Sequence, residues 1–336
     1  MAVYMYVSAS AEDKIQIFTI NPHTGGLTLH GEVAVPGSPS DIAVHPNRKF
    51  MYVVRKGLQA ISTYSRNLKT GELALIGTLE AGLEPGYVVT DRKGNFLLST
   101  YFWVGKAAVH PIGRDGILAG PAVEFFDTAR GVHSIQTDPT NKYVYLPHIA
   151  VVGPNLILQF KFDEATGHLT PNTPDRVVPA EPIGPRDFCF HPGLDIAYFG
   201  NEEGSSVTAY RCNRADGTLS PFQTVSTIPD DFTAKNRCAE IHITRSGKCL
   251  YVANRGHNSI ACFSIDAAGR LKSAGQVPCE AETRAFELDT EGNFLYAAGE
   301  KSNKLLAYRV NPETAELKLI GTYATAKGPW WISIVQ

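Results

Sequence analysis

Short apolar runs alternate with short polar turns along the whole chain, and the runs come in pairs. Residues 40–54 read SDIAVHPNRKFMYVV, an apolar run, a turn holding His, Pro and Asn, and a second apolar run. The unit returns as HSIQTDPTNKYVYLP at 133–147, RDFCFHPGLDIAYFG at 186–200, CAEIHITRSGKCLYVAN at 238–254 and RAFELDTEGNFLYAAG at 284–299. The runs are rich in β-branched and aromatic side chains and the turns in Asp, Pro, Asn and Gly, which predicts antiparallel hairpins. A third run precedes a recurring Gly-x-Leu step, as in IQIFTI (15–20) and LLAYRV (305–310), and a fourth follows it. Four antiparallel strands per repeat make a propeller blade.

The Gly-x-Leu step occurs seven times, ending at Leu27, Leu73, Leu118, Leu169, Leu219, Leu271 and Leu317; Ala315 replaces the glycine in the last copy. Successive leucines are 46, 45, 51, 50, 52 and 46 residues apart, a period that marks strand-rich ring repeats. The 19 residues after Leu317 and the 27 that end at Leu27 together make one more repeat of ordinary length. The expected fold is therefore all-β: a seven-bladed β-propeller, four antiparallel strands per blade, as a single domain over residues 1–336. Length alone suggests two domains. The repeat overrides that, because no blade buries its faces alone. GPWWISIVQ (328–336) and VYMYVSAS (3–10) share the closing blade, and pairing them removes two free sheet edges. No long stretch has helical periodicity; EEGSS (202–206) and DFTAK (231–235) are the places for single helical turns.

Composition narrows the class. With 31 basic and 33 acidic residues the net charge is −2, and no basic run points to nucleic acid. No apolar run reaches membrane-spanning length, so no membrane partner is expected. The first residues, MAVYMYVSAS, lack a charged segment followed by a long apolar one, so no signal peptide is expected. The six cysteines (Cys189, Cys212, Cys238, Cys249, Cys262, Cys279) form no C-x-x-C pair and read as reduced thiols of a cytoplasmic protein.

In an antiparallel hairpin the start of the first strand and the end of the second lie at one end. His133, Arg186, Glu240 and Arg284 stand at strand starts. Asn201 and Glu202, Asn254 and Arg255, and Glu300 and Lys301 stand at strand ends. In a propeller they converge on one mouth of the channel. Several cations beside a carboxylate and a histidine are costly to gather without an anionic ligand.

The blocks GVHSIQTDP, GPRDFCFHP, NEEGSSVTAY, CAEIHITRSGKCLYVANRGHNSIACF, TRAFELDTEGNFLYAAGEKSNKL and GPWWISI resemble the signature blocks of the lactonase family of seven-bladed propellers. The likeness covers nearly the whole chain and is most specific from His133 to Trp331. It implies a cofactor-free, metal-independent site at the channel mouth, with His133, Arg186, Glu202 and Arg255 as catalytic residues. Asp187, Asn201, Arg237, Glu240, Asn254, His257, Arg284, Glu300, Lys301 and Trp330 complete the expected substrate-binding set. Family members often carry histidine where this chain has Asp187, and another at a strand start where it has Tyr87. The implied reaction is hydrolysis of a small anionic sugar lactone, most concretely 6-phospho-D-glucono-1,5-lactone. The arginines would hold the anion or the developing oxyanion. Either Glu202 or His133 would act as general base.

Plainer readings stand beside these. Arg186 and Arg255 pair with Glu202 and Glu240 as structural ion pairs, or His133 caps a strand start. Arg284 and Lys301 are solvated strand-end charges, and His242, two residues beyond Glu240, is structural. Of Trp330 and Trp331, one faces the core and the other the channel lip. A metal site of His133, Glu202 and Glu240 ranks low because arginines crowd it. A muconate-type cycloisomerase, a hydrolase of unphosphorylated aldonolactones and a non-catalytic scaffold are the alternatives. The scaffold reading lacks the Trp-Asp signature of WD40 repeats, and charge concentrates at the mouth.

Overall fold

The computed structural model describes residues 2–336 and is a ring of seven four-stranded antiparallel sheets. Its closing blade pairs Pro329–Val335 with Val3–Ala9, from Tyr4 opposite Val335 to Ser8 opposite Trp331, and continues through Lys14–Ile20 and Leu27–Ala34. The other blades each use one continuous stretch of chain. The one helical element among the described residues is a 3-10 turn at Lys56–Leu58; residues 202–206 and 231–235 form none.

Burial explains the two kinds of strand pattern. Second strands such as Phe96–Tyr101, Ile196–Asn201 and Phe294–Gly299 are buried throughout, because a neighbouring blade covers each face. Outer strands such as Leu27–Ala34 and Leu219–Ser226 bury only their first leucine and are exposed or half-buried beyond it. The core is accordingly a set of apolar layers between adjacent blades. In one of these, Tyr251 and Ala253 pack with Phe286, Leu295 and Ala297.

The Gly-x-Leu step gains a meaning from these junctions. Tyr6 donates its hydroxyl hydrogen to the carbonyl of Gly71 at 2.7 Å, Tyr52 to Gly116 at 3.0 Å and Tyr145 to Gly217 at 2.8 Å. Tyr198 does so to Gly269 at 2.8 Å, Tyr251 to Ala315 at 3.0 Å and Tyr296 to Gly25 at 3.0 Å. Each bond runs from a second strand to the Gly-x-Leu turn of the next blade. At the remaining junction, between the blades of Phe96–Tyr101 and Leu156–Phe162, Leu98 stands where the tyrosine would be. Glycine suits the turn twice over. Gly217 has φ +73°, and a Cβ there would lie 2.1 Å from the ring of Tyr143. Ala315 holds the same left-handed conformation with φ 63°.

Candidate active site

The hairpin geometry gathers strand starts and strand ends around one channel mouth, which opens into a cavity of about 610 Å³. Lys56, Phe102, Ile149 and Glu202 immediately follow the second strands Phe50–Arg55, Phe96–Tyr101, Tyr143–His148 and Ile196–Asn201, and Arg255 closes Cys249–Arg255. All five line the cavity. Strand starts supply Arg237, Arg284 and Trp330, while His133, expected at a strand start, lies three residues before the strand Gln136–Thr137.

Glu202 is the hub. Its Oε2 lies 2.8 Å from Arg186 Nε and 3.1 Å from Arg255 Nη2, and Arg255 Nη2 also donates to the Cys238 carbonyl at 3.0 Å. The two arginines thus share one carboxylate; neither pairs with Glu240. Burial and the charge of Arg186 pull the Arg255 pKa down to about 10, so it stays cationic at neutral pH. Arg186 is 2% exposed and stands behind Glu202 rather than in the cavity wall.

Trp330 organises a second pair of cations. Lys56 Nζ sits 3.7 Å and Arg284 Cζ 4.2 Å from the centre of its ring, and its Nε1 donates to Asp41 Oδ2 at 3.2 Å. The ring face holds both charges at the wall without neutralising them. Trp331 instead packs edge-on against Tyr87. His133 meets Phe102 edge-on, and its Nδ1 has no hydrogen-bond partner among the described residues. Burial, then Arg186, Arg284, Arg255 and Lys56, holds its pKa well below 6.5, so the imidazole is neutral at physiological pH.

The remaining expected residues lie elsewhere. Asn201 and Asn254 are wholly buried and spend their amides inside the blades, Asn201 on Ser206 and Thr208, Asn254 on Thr227 and Ser259. They precede Glu202 and Arg255, and neighbours on a strand point to opposite sides. His257 bonds Ser259 and packs on Phe232, while Lys301 is exposed and pairs with Glu282. Glu300 is half-buried beyond the wall, close enough for its charge to act on Arg284 and Lys56.

Asp187 and Glu240 belong to a deeper group. Glu240 Oε2 accepts from the Phe286 N–H at 2.9 Å and lies 3.5 Å from His242 Nε2, whose Nδ1 is 3.4 Å from Glu287. Burial opposes the His242 charge, but Glu287 and Glu240 outweigh it and raise the pKa to about 9. Burial pushes Asp187 up to about 6. Among the described residues no three His, Cys, Asp or Glu side chains gather as a metal-binding group.

Sequence reasoning passed over Lys56, Phe102 and Ile149. Their signal was positional, since Arg55-Lys56-Gly57 occupies the same strand end as Asn254-Arg255-Gly256. Glu84, Gly86, Trp103, Val151 and Val152 sit in loops without a repeat signature.

Comparison with known proteins agrees with this architecture. The family model described as Lactonase, 7-bladed beta-propeller, matches residues 3–334. The chain is 33% identical over 333 residues to the 6-phosphogluconolactonase of Yersinia pestis (strain Pestoides F), covering 98% of this chain and 97% of that one. It is 32% identical over 337 residues to the 6-phosphogluconolactonase of Pectobacterium carotovorum, covering 100% and 99%. The structure of a Pseudomonas aeruginosa periplasmic gluconolactonase superposes with a TM-score of 0.91 at 23% identity, covering 100% and 99%, a likeness of fold. No helix is long and apolar enough to cross a membrane among the described residues.

Proposed function

The chain belongs to the lactonase family of seven-bladed β-propellers and is a sugar lactonase, and we infer that it opens an anionic sugar-acid lactone, in the first instance 6-phospho-D-glucono-1,5-lactone to 6-phosphogluconate. The 6-phosphogluconolactonase names of the two relatives support the substrate. The observation that carries the reading is the ring of Lys56, Arg237, Arg255 and Arg284 around one cavity that also holds Glu202 and the neutral His133.

Each group has a role in hydrolysis. Lys56 and Arg237 hold the anionic substituent. Arg255 and Arg284 face the lactone carbonyl, where positive donors fixed in advance stabilise the oxyanion. Water adds to the carbonyl carbon and gives its proton to Glu202 or His133. The ring C–O bond then breaks, the ring oxygen takes up a proton, and a carboxylate and a hydroxyl remain. Arg186 positions Glu202 from behind. No step needs a metal, and four cations lining the cavity oppose one. The six free cysteines fit a cytoplasmic setting.

The test is acid release at constant pH from a panel of phosphorylated and free aldonolactones, with and without a chelator. Turnover of the phosphorylated lactone above the spontaneous rate, unchanged by chelator, is expected. Loss of activity on chelation with recovery on adding a divalent ion would replace this reading with a metal-dependent one.

A further inference from the structure

The cavity is two-sided. Across the ring from Arg255 and Arg284, and beside Lys56, stand Phe102, Trp103, Ile149, Val151 and Val152, an apolar wall that the anion-holding cations leave free. Trp103 is 59% exposed, Val151 62% and Val152 41%, and large apolar groups left in water at a cavity rim mark a contact surface.

This wall is built and held. The loop between the second and third strands of a blade runs from residue 149 to 155 here, against 102–105, 202–205 and 300–303 in three other blades. The extra length carries Val151 and Val152. Glu203, from the next blade, accepts from the Ala150 N–H at 3.2 Å and the Val151 N–H at 3.1 Å. Asn155 bonds the Gly184 N–H and the Glu181 carbonyl, anchoring the far end. Arg130 donates to the Trp103 carbonyl at 2.9 Å, and Trp103 meets Phe102 edge-on at 4.8 Å. Exposed apolar side chains on a tied loop keep their ordering cost low when a ligand arrives.

We propose that this enzyme takes lactones that pair an anionic group with an apolar substituent, the substituent resting on Trp103, Val151 and Val152 while the cations across the cavity hold the anion. The proposal rests on the lactonase reading of the same cavity and adds a second class of substrate to it. Glu203 is the positioning residue for the loop.

The test uses two five-membered lactones stable enough for equilibrium work: paraconate, a lactone carboxylate, and its phenyl-substituted counterpart phenylparaconate. Calorimetry on the full chain is expected to show phenylparaconate binding about tenfold tighter, the scale of partly burying one apolar group. In Trp103→Ala, and separately in Val152→Ser, that ratio falls toward one, with unchanged melting showing that the fold is intact. A wild-type ratio near one, no binding of phenylparaconate, or a preference that survives both substitutions overturns the proposal. Binding needs no turnover, so these outcomes are distinct from failure of the hydrolytic reading, which acid release from the aldonolactones reports.

Discussion

Arg186 reaches Glu202 from behind the cavity wall, Nε to Oε2 at 2.8 Å, with both side chains almost wholly out of water. The carboxylate that lines the cavity is thus held by a cation that does not. Removing Arg186 strips one of two cations from a buried carboxylate that Arg255 still partners, at a cost of about 1.5–3 kcal/mol. Arg186→Ala therefore lowers the melting temperature as well as turnover, and a mutant with unchanged melting would contradict the pairing.

Arg255→Ala separates binding from chemistry, because Arg255 lines the proposed substrate cavity. If it stabilises the oxyanion, kcat and kcat/KM fall together; if it holds only the ground-state anion, KM rises alone. The oxyanion pattern is expected. Glu202→Gln keeps the shape but not the base, and kcat should drop on the order of 10²-fold. Should it keep near-normal kcat while His133→Asn does not, His133 is the proton acceptor.

Stability should peak near neutral pH and decline on both sides. Burial lowers His110 and His148 to about 4 each, below the unfolded value. Their contribution is present above about pH 6.5 and lost as pH falls toward 4, on the order of 3 kcal/mol for each. His242 has the opposite sign, raised to about 9. Its contribution is complete below about pH 6.5 and lost as pH climbs through 9. Melting temperature against pH checks both limbs; His148→Asn should flatten the acid limb and His242→Asn the alkaline one.

Deleting residues 1–10 removes the strand Val3–Ala9, which pairs on one side with Lys14–Ile20 and on the other with Pro329–Val335. Global loss of cooperative unfolding is the expected result. A truncated chain that melts like the parent would contradict closure of the ring through both termini.

Tyr198→Phe and Tyr251→Phe each delete one hydroxyl bond between blades. Each should cost about 1–3 kcal/mol, since the abandoned carbonyl stays buried. Denaturant titration of the two variants checks this.

The ring and its seven blades were legible because each blade repeats one apolar pattern with a fixed period. The mouth was legible where a charge broke that pattern, as at His133, Glu202 and Arg255. What did not show was which of two adjacent polar residues faces the channel. Asn201 and Glu202 look equally polar in the sequence, yet strand alternation sends Asn201 inward to Ser206 and Thr208. The apolar wall was hidden for a different reason. Phe102 and Ile149 look like strand residues, and only the third dimension puts them opposite Arg284.

Leu98 leaves one of seven junctions without its hydroxyl latch, and a second cavity of about 490 Å³ opens beside it, lined by Phe126, Leu156 and Phe160. Other bonds tie the same two blades: Asn141 Nδ2 donates to Asp91 Oδ2 at 2.9 Å, Arg92 to the Thr137 and Asp138 carbonyls, and Thr100 Oγ1 to the His133 carbonyl. The two blades that meet there carry Phe102 and Ile149 into the mouth. The one seam that the repeat leaves unlatched is therefore closed by bonds outside the repeat, and the apolar side of the entrance stands on it.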